Sequence, residues 1–163
     1  AKLPDAQAAF ESADSMHSTA ISGANFILHA AGWLEAGLVT SYEKLILDAD
    51  RLGAYHAILS GISVNENTLA SDAYREVEPG GHFLGSRHTL ANYETAFYEA
   101  QLSNSETFEQ WTEEGSKDAT TRANLQWKQM LKDYESPKNN PSITEALKEY
   151  VEKKKLAVED TWY

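Results

Sequence analysis

Gly23-Ala24-Asn25-Phe26-Ile27-Leu28-His29-Ala30-Ala31-Gly32-Trp33 is the stretch on which the reading of this chain turns. A short apolar run without polar alternation, closed off by glycine, suits a β-strand covered on both faces, as in a parallel sheet. A strand needs neighbours, because its N–H and C=O groups must be paired once they leave water. No second run of comparable quality occurs in the sequence. The expectation is a strand over 25–31 whose partner strands come from outside this chain, so that the chain is one piece of a larger fold.

Working outward, the residues before the run read as helix. Ala9, Phe10, Ala13, Met16, Ala20 and Ile21 recur at helical spacing from about Asp5 to Ser22, and Pro4 is acceptable in a first turn. The chain opens on Ala1-Lys2-Leu3 without an initiator methionine, which fits a piece of something longer. After the run, residues 32–39 read as a loop with apolar anchors. Thr40 and Glu43 have the spacing of a capping box, and the following helix carries Leu45, Ile46, Ala49, Leu52 and Leu59 before stopping near Gly61. Helix, strand, loop and helix make one and a half units of a β/α alternation, so the fold class expected is α/β.

Beyond residue 62 the pattern is helical throughout. A polar link, Asn65-Glu66-Asn67, leads to a helix over about 69–77 and then to Pro79-Gly80-Gly81-His82-Phe83-Leu84-Gly85. So many glycines in one short segment imply backbone conformations that side chains forbid, or close approach of other groups. Thr89 or Ser86 caps a helix bearing Leu90, Tyr93, Ala96, Phe97 and Ala100. Ser103 with Glu106 and Ser142 with Glu145 are further capping pairs, and a longer helix is expected over 118–134. The aromatic residues Tyr93, Phe97, Phe108, Trp111 and Trp127 read as core.

Composition narrows the function classes. With 163 residues, 42% hydrophobic and 24% charged, the chain falls in the globular class. The absence of cysteine excludes a disulfide framework, a thiolate metal site and cysteine catalysis. A net charge of −11 argues against nucleic acid, which demands many cations against phosphates. No apolar run reaches the length of a membrane span and the start is unlike a signal peptide, which makes a cytoplasmic protein the default. No serine sits in a nucleophile-elbow setting, and His29, His82 and His88 have no compact metal-site spacing, so neither hydrolysis nor a metal centre is expected.

Several motifs in order carry a resemblance. Pro4-Asp5-Ala6-Gln7-Ala8, Gly23-Ala24-Asn25, His29 to Glu35, Ser41-Tyr42-Glu43-Lys44, and Pro79 to Gly85 with His88-Thr89-Leu90 resemble the C-terminal portion of the trimethylamine methyltransferase family of corrinoid-dependent enzymes. The likeness covers most of the chain and fades after about Asp133. It implies the C-terminal part of a (β/α)8 barrel: residues 1–62 would be late β/α units, and residues 63–163 a helical extension holding the Gly-rich loop 79–85. It also implies transfer of a methyl group from trimethylamine or a related methylamine, such as glycine betaine, to the Co(I) corrinoid (cobalamin) of a separate corrinoid protein, as in the methylamine metabolism of methanogenesis. The partners expected are the N-terminal part of the same barrel, the corrinoid protein and a small methylamine. A homo-oligomer is expected when the barrel is complete.

In that family some members use pyrrolysine at or just before the Leu-Pro-Asp-Ala-Gln stretch. Lys2 stands there, either as an ordinary lysine, as pyrrolysine written in its nearest standard form, or next to an in-frame amber codon. In a barrel of this kind chemistry sits at the C-terminal ends of strands, which singles out His29 and the loop beyond it. A methylammonium binds aromatic faces through cation–π attraction, helped by a carboxylate. The resemblance therefore nominates Lys2, His29 and Glu35 as catalytic, Asn25, Trp33, His82 and Phe83 as substrate contacts, and Gly80, Gly81 and His88 as corrinoid or loop contacts. The competing reading is a free-standing helical interaction module without catalysis, in which the apolar run is a buried helix segment.

Overall fold

The computed structural model describes residues 1–158; the last five residues of the expected extension lie outside the described part. The chain divides into a first unit, residues 1–130, and a second that begins at Leu131.

In the first unit, helix α1 covers Ala6–Ile21, and Asp5 caps it by accepting the Ala8 N–H. Helix α2 covers Tyr42–Leu59 and packs on α1. Between them lie two short strands, β1 (Trp33–Leu34) and β2 (Val39–Thr40), joined through a single 3-10 turn, Glu35–Gly37. They pair antiparallel, Trp33 opposite Thr40 and Leu34 opposite Val39. Helices α3 (Glu66–Leu69), α4 (Ser71–Glu76), α5 (Arg87–Asn92) and α6 (Phe108–Glu113) are short, and α7 (Ala119–Asp133) is long enough to pack.

The expected strand over 25–31 does not form. Among the described residues nothing pairs with its backbone, His29 sits at φ +56, and Phe26 and Leu28 are exposed. A strand without a ladder leaves its polar backbone unsatisfied, so the segment stays irregular and open to water. It is not helix either, which removes the premise of the helical-module reading. The chain is predominantly α, with one small antiparallel ribbon.

Capping differs from expectation by short steps, each with a cause. Thr40 is drawn into the ribbon, so Ser41 caps α2: its Oγ accepts the Lys44 N–H at 3.2 Å and donates to Glu43 Oε2 at 2.9 Å. Of the two candidates for α5, Ser86 is the cap, as the reading allowed. The box expected at Ser103 and Glu106 is instead Thr107 and Gln110, where side chain and backbone satisfy each other in both directions. The helix expected over 69–77 is split by Ala70 in the left-handed conformation.

The core is small. Ile46, Leu102 and Ala123 are buried together, with Leu47 and Trp127 packed against them. Tyr55 reaches across from α2 to donate its hydroxyl to the Ala13 carbonyl of α1 at 2.9 Å. The expectation that Tyr93, Phe97 and Phe108 are core is overturned: all three are exposed. The helices nearest them are six residues each, too short to bury a face within this chain. Phe10, Leu59, Ile62 and Leu84 are exposed as well. No helix among the described residues is long and apolar enough to cross a membrane.

The second unit is the end of α7 and helix α8, Pro141–Ala157. Its cap is Asn140 rather than Ser142, with Pro141 at the first helical position, where a missing N–H costs nothing. Lys154 and Lys155 lie in the last turn, against the negative end of the helix dipole.

Candidate functional site

The loop between α1 and α2 is built around backbone conformations that most side chains resist. His29 (φ +56), Gly32 (φ +86), Glu35 (φ +51), Ala36 (φ +54) and Gly37 (φ +85) all lie in the left-handed region. Non-glycine residues enter it only at a cost, so other contacts must hold them there. A carbonyl–amide contact does part of this: the Glu35 N–H donates to the Ala1 carbonyl at 2.9 Å. The turn also brings side chains together. The His29 and Trp33 rings meet edge to face, 5.0 Å between centroids at 73°. The Lys2 ammonium lies 3.2 Å from the Glu35 carboxylate, the Lys2 side chain largely in water and that of Glu35 half-buried.

Three of the expected residues, His29, Trp33 and Glu35, thus share one loop, and Lys2 reaches it from the N-terminal segment through Glu35. Trp33 keeps 36% of its surface exposed, and its ring borders two hollows. One, of about 330 Å³, is bounded by Ala31, Gly32, Ser41, Tyr42 and Leu45. The other, of about 270 Å³, lies between α1 and residues 27–33 and includes His29, Glu11 and Ser12. Aromatic faces and carboxylates both attract a methylated ammonium, and a partly exposed Glu–Lys pair is weak enough for a competing cation to displace. Asn25 is exposed in the same loop, several residues before Trp33.

The residues of the Gly-rich loop have other neighbours. Phe83 packs edge to face on Tyr74 at 5.4 Å, and its carbonyl accepts the Thr89 hydroxyl at 2.7 Å. His88 Nε2 lies 2.6 Å from the Asn67 carbonyl, and Asn92 bonds both Asn67 and the His88 carbonyl. A side chain at Gly81 would bring its Cβ to 2.9 Å from the Glu78 carbonyl, so the tight turn itself demands glycine there. Gly80 (φ +82) and His82 are exposed. Among the described residues, no hydrogen bond, ion pair or ring contact joins this group to Trp33 and its neighbours.

Sequence reasoning missed the centre that holds the first loop. Lys44 and Asp48, one turn apart on α2, form a buried ion pair whose side chains are 4% and 9% exposed. The Lys44 ammonium also donates to Ser12 Oγ of α1 at 2.6 Å, and Asp48 Oδ2 accepts the Gly32 N–H at 2.9 Å. One buried carboxylate therefore ties the loop to both helices. The signal available was a Lys and an Asp four residues apart, interleaved with Ile46 and Leu47 on the side of α2 that faces the core.

Gly32→Ala is expected to destabilise the loop by roughly 1–2 kcal/mol, from a left-handed residue gaining a Cβ. The new atom would also stand 3.3 Å from Leu45 Cβ. Thermal unfolding of the variant against the parent measures this.

The geometry can be set beside known proteins. The family model described as trimethylamine methyltransferase matches residues 1–159. The chain is 35% identical over 150 residues to a glycine betaine methyltransferase of Desulfitobacterium hafniense strain Y51, covering 92% of this chain and 31% of that protein. It is 33% identical over 151 residues to a trimethylamine methyltransferase of D. hafniense strain DCB-2, covering 93% of this chain and 30% of the relative. Against a trimethylamine methyltransferase of Methanosarcina mazei the identity is 34% over 155 residues, 94% of this chain and 30% of the relative. The chain thus spans about three tenths of the length of these relatives. With nearly every residue matched, it belongs to the trimethylamine methyltransferase family.

Proposed function

We propose that this chain is the C-terminal part of a methyltransferase that takes a methyl group from a tertiary or quaternary methylamine, and that the loop from His29 to Glu35 contacts the substrate headgroup. The observation carrying the proposal is the exposed Trp33 ring, braced edge-on by His29 and followed two residues later by the Glu35 carboxylate. Trp33 offers its face to a methylated ammonium, while Glu35 supplies the opposing charge once Lys2 yields it. These residues bind and orient the substrate so that one N–methyl bond points toward the acceptor.

The acceptor in this reading is the Co(I) corrinoid of a partner protein, which supplies the nucleophile. The residues nominated to meet it fit unequally. Gly80 is exposed and suits a surface contact. His88 is held within its own group, its Nε2 engaged by the Asn67 carbonyl, and Gly81 has a task in its own turn.

The strands of a (β/α)8 barrel would come from outside these residues. The unpaired backbone of 25–31 and the exposed Phe26 and Leu28 support this, as does the threefold greater length of the relatives. On this reading the isolated chain binds a methylammonium weakly and turns nothing over. Turnover of trimethylamine or glycine betaine by the chain alone, with corrinoid protein present, would contradict it.

Trp33→Ala is expected to weaken tetramethylammonium binding by about threefold to thirtyfold, the range of one cation–π contact. The check is the Trp33 indole N–H resonance of the parent, assigned with Trp33→Phe and titrated with tetramethylammonium chloride. The affinity of Trp33→Ala follows by competition calorimetry. A Trp33 signal that does not move sinks the reading.

A further inference from the structure

We propose that Asp48, held by Lys44, is a positioning residue that sets the orientation of Trp33 through the backbone N–H of Gly32. The inference rests on the methylammonium reading for its functional consequence, but its structural content is independent of it.

Gly32 directly precedes Trp33, and its φ of +86 decides the direction in which the ribbon leaves the loop. Three contacts fix that residue. Asp48 Oδ2 accepts its N–H at 2.9 Å, its carbonyl accepts the Ser41 N–H at 3.1 Å, and Leu45 crowds the place where a Cβ would stand, at 3.3 Å. Of these, the carboxylate is the one that lies inside the protein with a counter-ion. Lys44 donates to both Asp48 oxygens, 2.7 Å to Oδ1, so the carboxylate cannot rotate away from Gly32 without losing one of these bonds. Ser12 anchors the ammonium from α1 at 2.6 Å. The pair therefore carries the relation between the two helices to the one amide that aims the Trp33 ring.

Stability alone does not explain why a charged pair stands here. A buried ion pair is commonly no more stabilising than apolar residues of the same volume, because both charges lose their water. A carboxylate directed at a loop amide supplies what apolar residues cannot, a fixed acceptor for a backbone that has no ladder partner.

The test separates stability from aim. In the double variant Lys44→Met/Asp48→Leu both charges go together, so the fold is kept while the Gly32 acceptor is lost. In Lys44→Met/Asp48→Asn the charges also go, but the asparagine carbonyl can still accept the Gly32 N–H. Amide hydrogen exchange is expected to be about tenfold faster or more at Gly32 in the Leu variant and near the parent rate in the Asn variant. The tetramethylammonium shift of the Trp33 indole is expected to be lost in the first and retained in the second. Equal protection of Gly32 in both variants, or an unchanged Trp33 titration in the Leu variant, overturns the proposal. Should the Leu variant fail to fold, Asp48→Glu gives the same reading, since it keeps the charge but displaces the carboxylate from the Gly32 nitrogen by a methylene. If the parent's Trp33 signal ignores tetramethylammonium, the methylammonium reading fails, while the exchange rates still decide whether Asp48 holds Gly32.

Discussion

Asp48→Ala is expected to cost the first unit roughly 3–5 kcal/mol, the range for stripping one partner from a buried ion pair. The Lys44 ammonium, 4% exposed, would keep only Ser12 Oγ as partner, and the Gly32 N–H would lose its acceptor. A domain whose whole stability is on the order of 5–15 kcal/mol does not absorb that loss easily. The small core of Ile46, Leu102 and Ala123 has little in reserve. Urea unfolding followed by circular dichroism should show the midpoint falling sharply or the transition vanishing. Asp72→Ala is the control: it breaks an ion pair with Arg75 in which both side chains are mostly in water, and its midpoint should not move. Equal effects of the two substitutions would mean that burial of the Lys44–Asp48 pair has been misjudged.

Glu43→Ala is the second large effect, roughly 2–3 kcal/mol, because hydrogen bonds to a charged acceptor are worth more than neutral ones. Glu43 Oε1 accepts from Asn124 Nδ2 at 2.7 Å and from the Trp127 indole at 2.8 Å, which fastens α2 to α7. The Tyr42 ring stacks on Trp127 at 4.9 Å, so the loss would loosen an aromatic contact as well. The same hydrogen bonds, that of Asn124 first and Trp127 next, lower the Glu43 pKa from an ordinary 4.5 to about 2. A carboxylate whose folded pKa is depressed stabilises the fold fully above its unfolded value and loses that contribution as the pH falls toward the folded one. The Glu43 contribution should thus be intact above about pH 4.5 and fade between there and pH 2. Glu11, hydrogen-bonded by the N-terminal ammonium, and Asp118, hydrogen-bonded by Thr121, are shifted the same way. The Glu43 share is therefore read as a difference: Glu43→Gln should flatten part of the parent's loss of stability over that window. Parallel curves for parent and variant would remove Glu43 as its source.

The helices were legible from the sequence because their signals are local. Apolar spacing and a capping residue act within one or two turns, and α1, α2 and α7 appear within a residue or two of where those signals put them. Caps were misplaced where a neighbour competed for the residue, as when Thr40 was taken by the ribbon and Ser41 capped α2 instead. The run 25–31 was read as a strand with outside partners, and it stays irregular because apolar residues say that something should cover them but a strand exists only once a ladder pairs its backbone. The exposed Phe97 and Phe108 carry the same message.

The residues of the candidate site were legible in kind but not in arrangement. Trp33, His29, Glu35 and Lys2 could be named from residue type, motif order and family likeness. Their meeting depends on left-handed turns at His29, Gly32 and Glu35, which no spacing rule announces for a histidine or a glutamate.

By itself the sequence determined the family, the helical character and the chemical types present in the candidate loop, since each depends on residue identity and near neighbours. Only the tertiary structure decided that Lys44 and Asp48 are buried, that their carboxylate reaches Gly32, and that 25–31 stays open. Burial and long-range pairing are properties of which surfaces meet, and a pair of charges reads the same on paper whether it faces water or the inside of the fold.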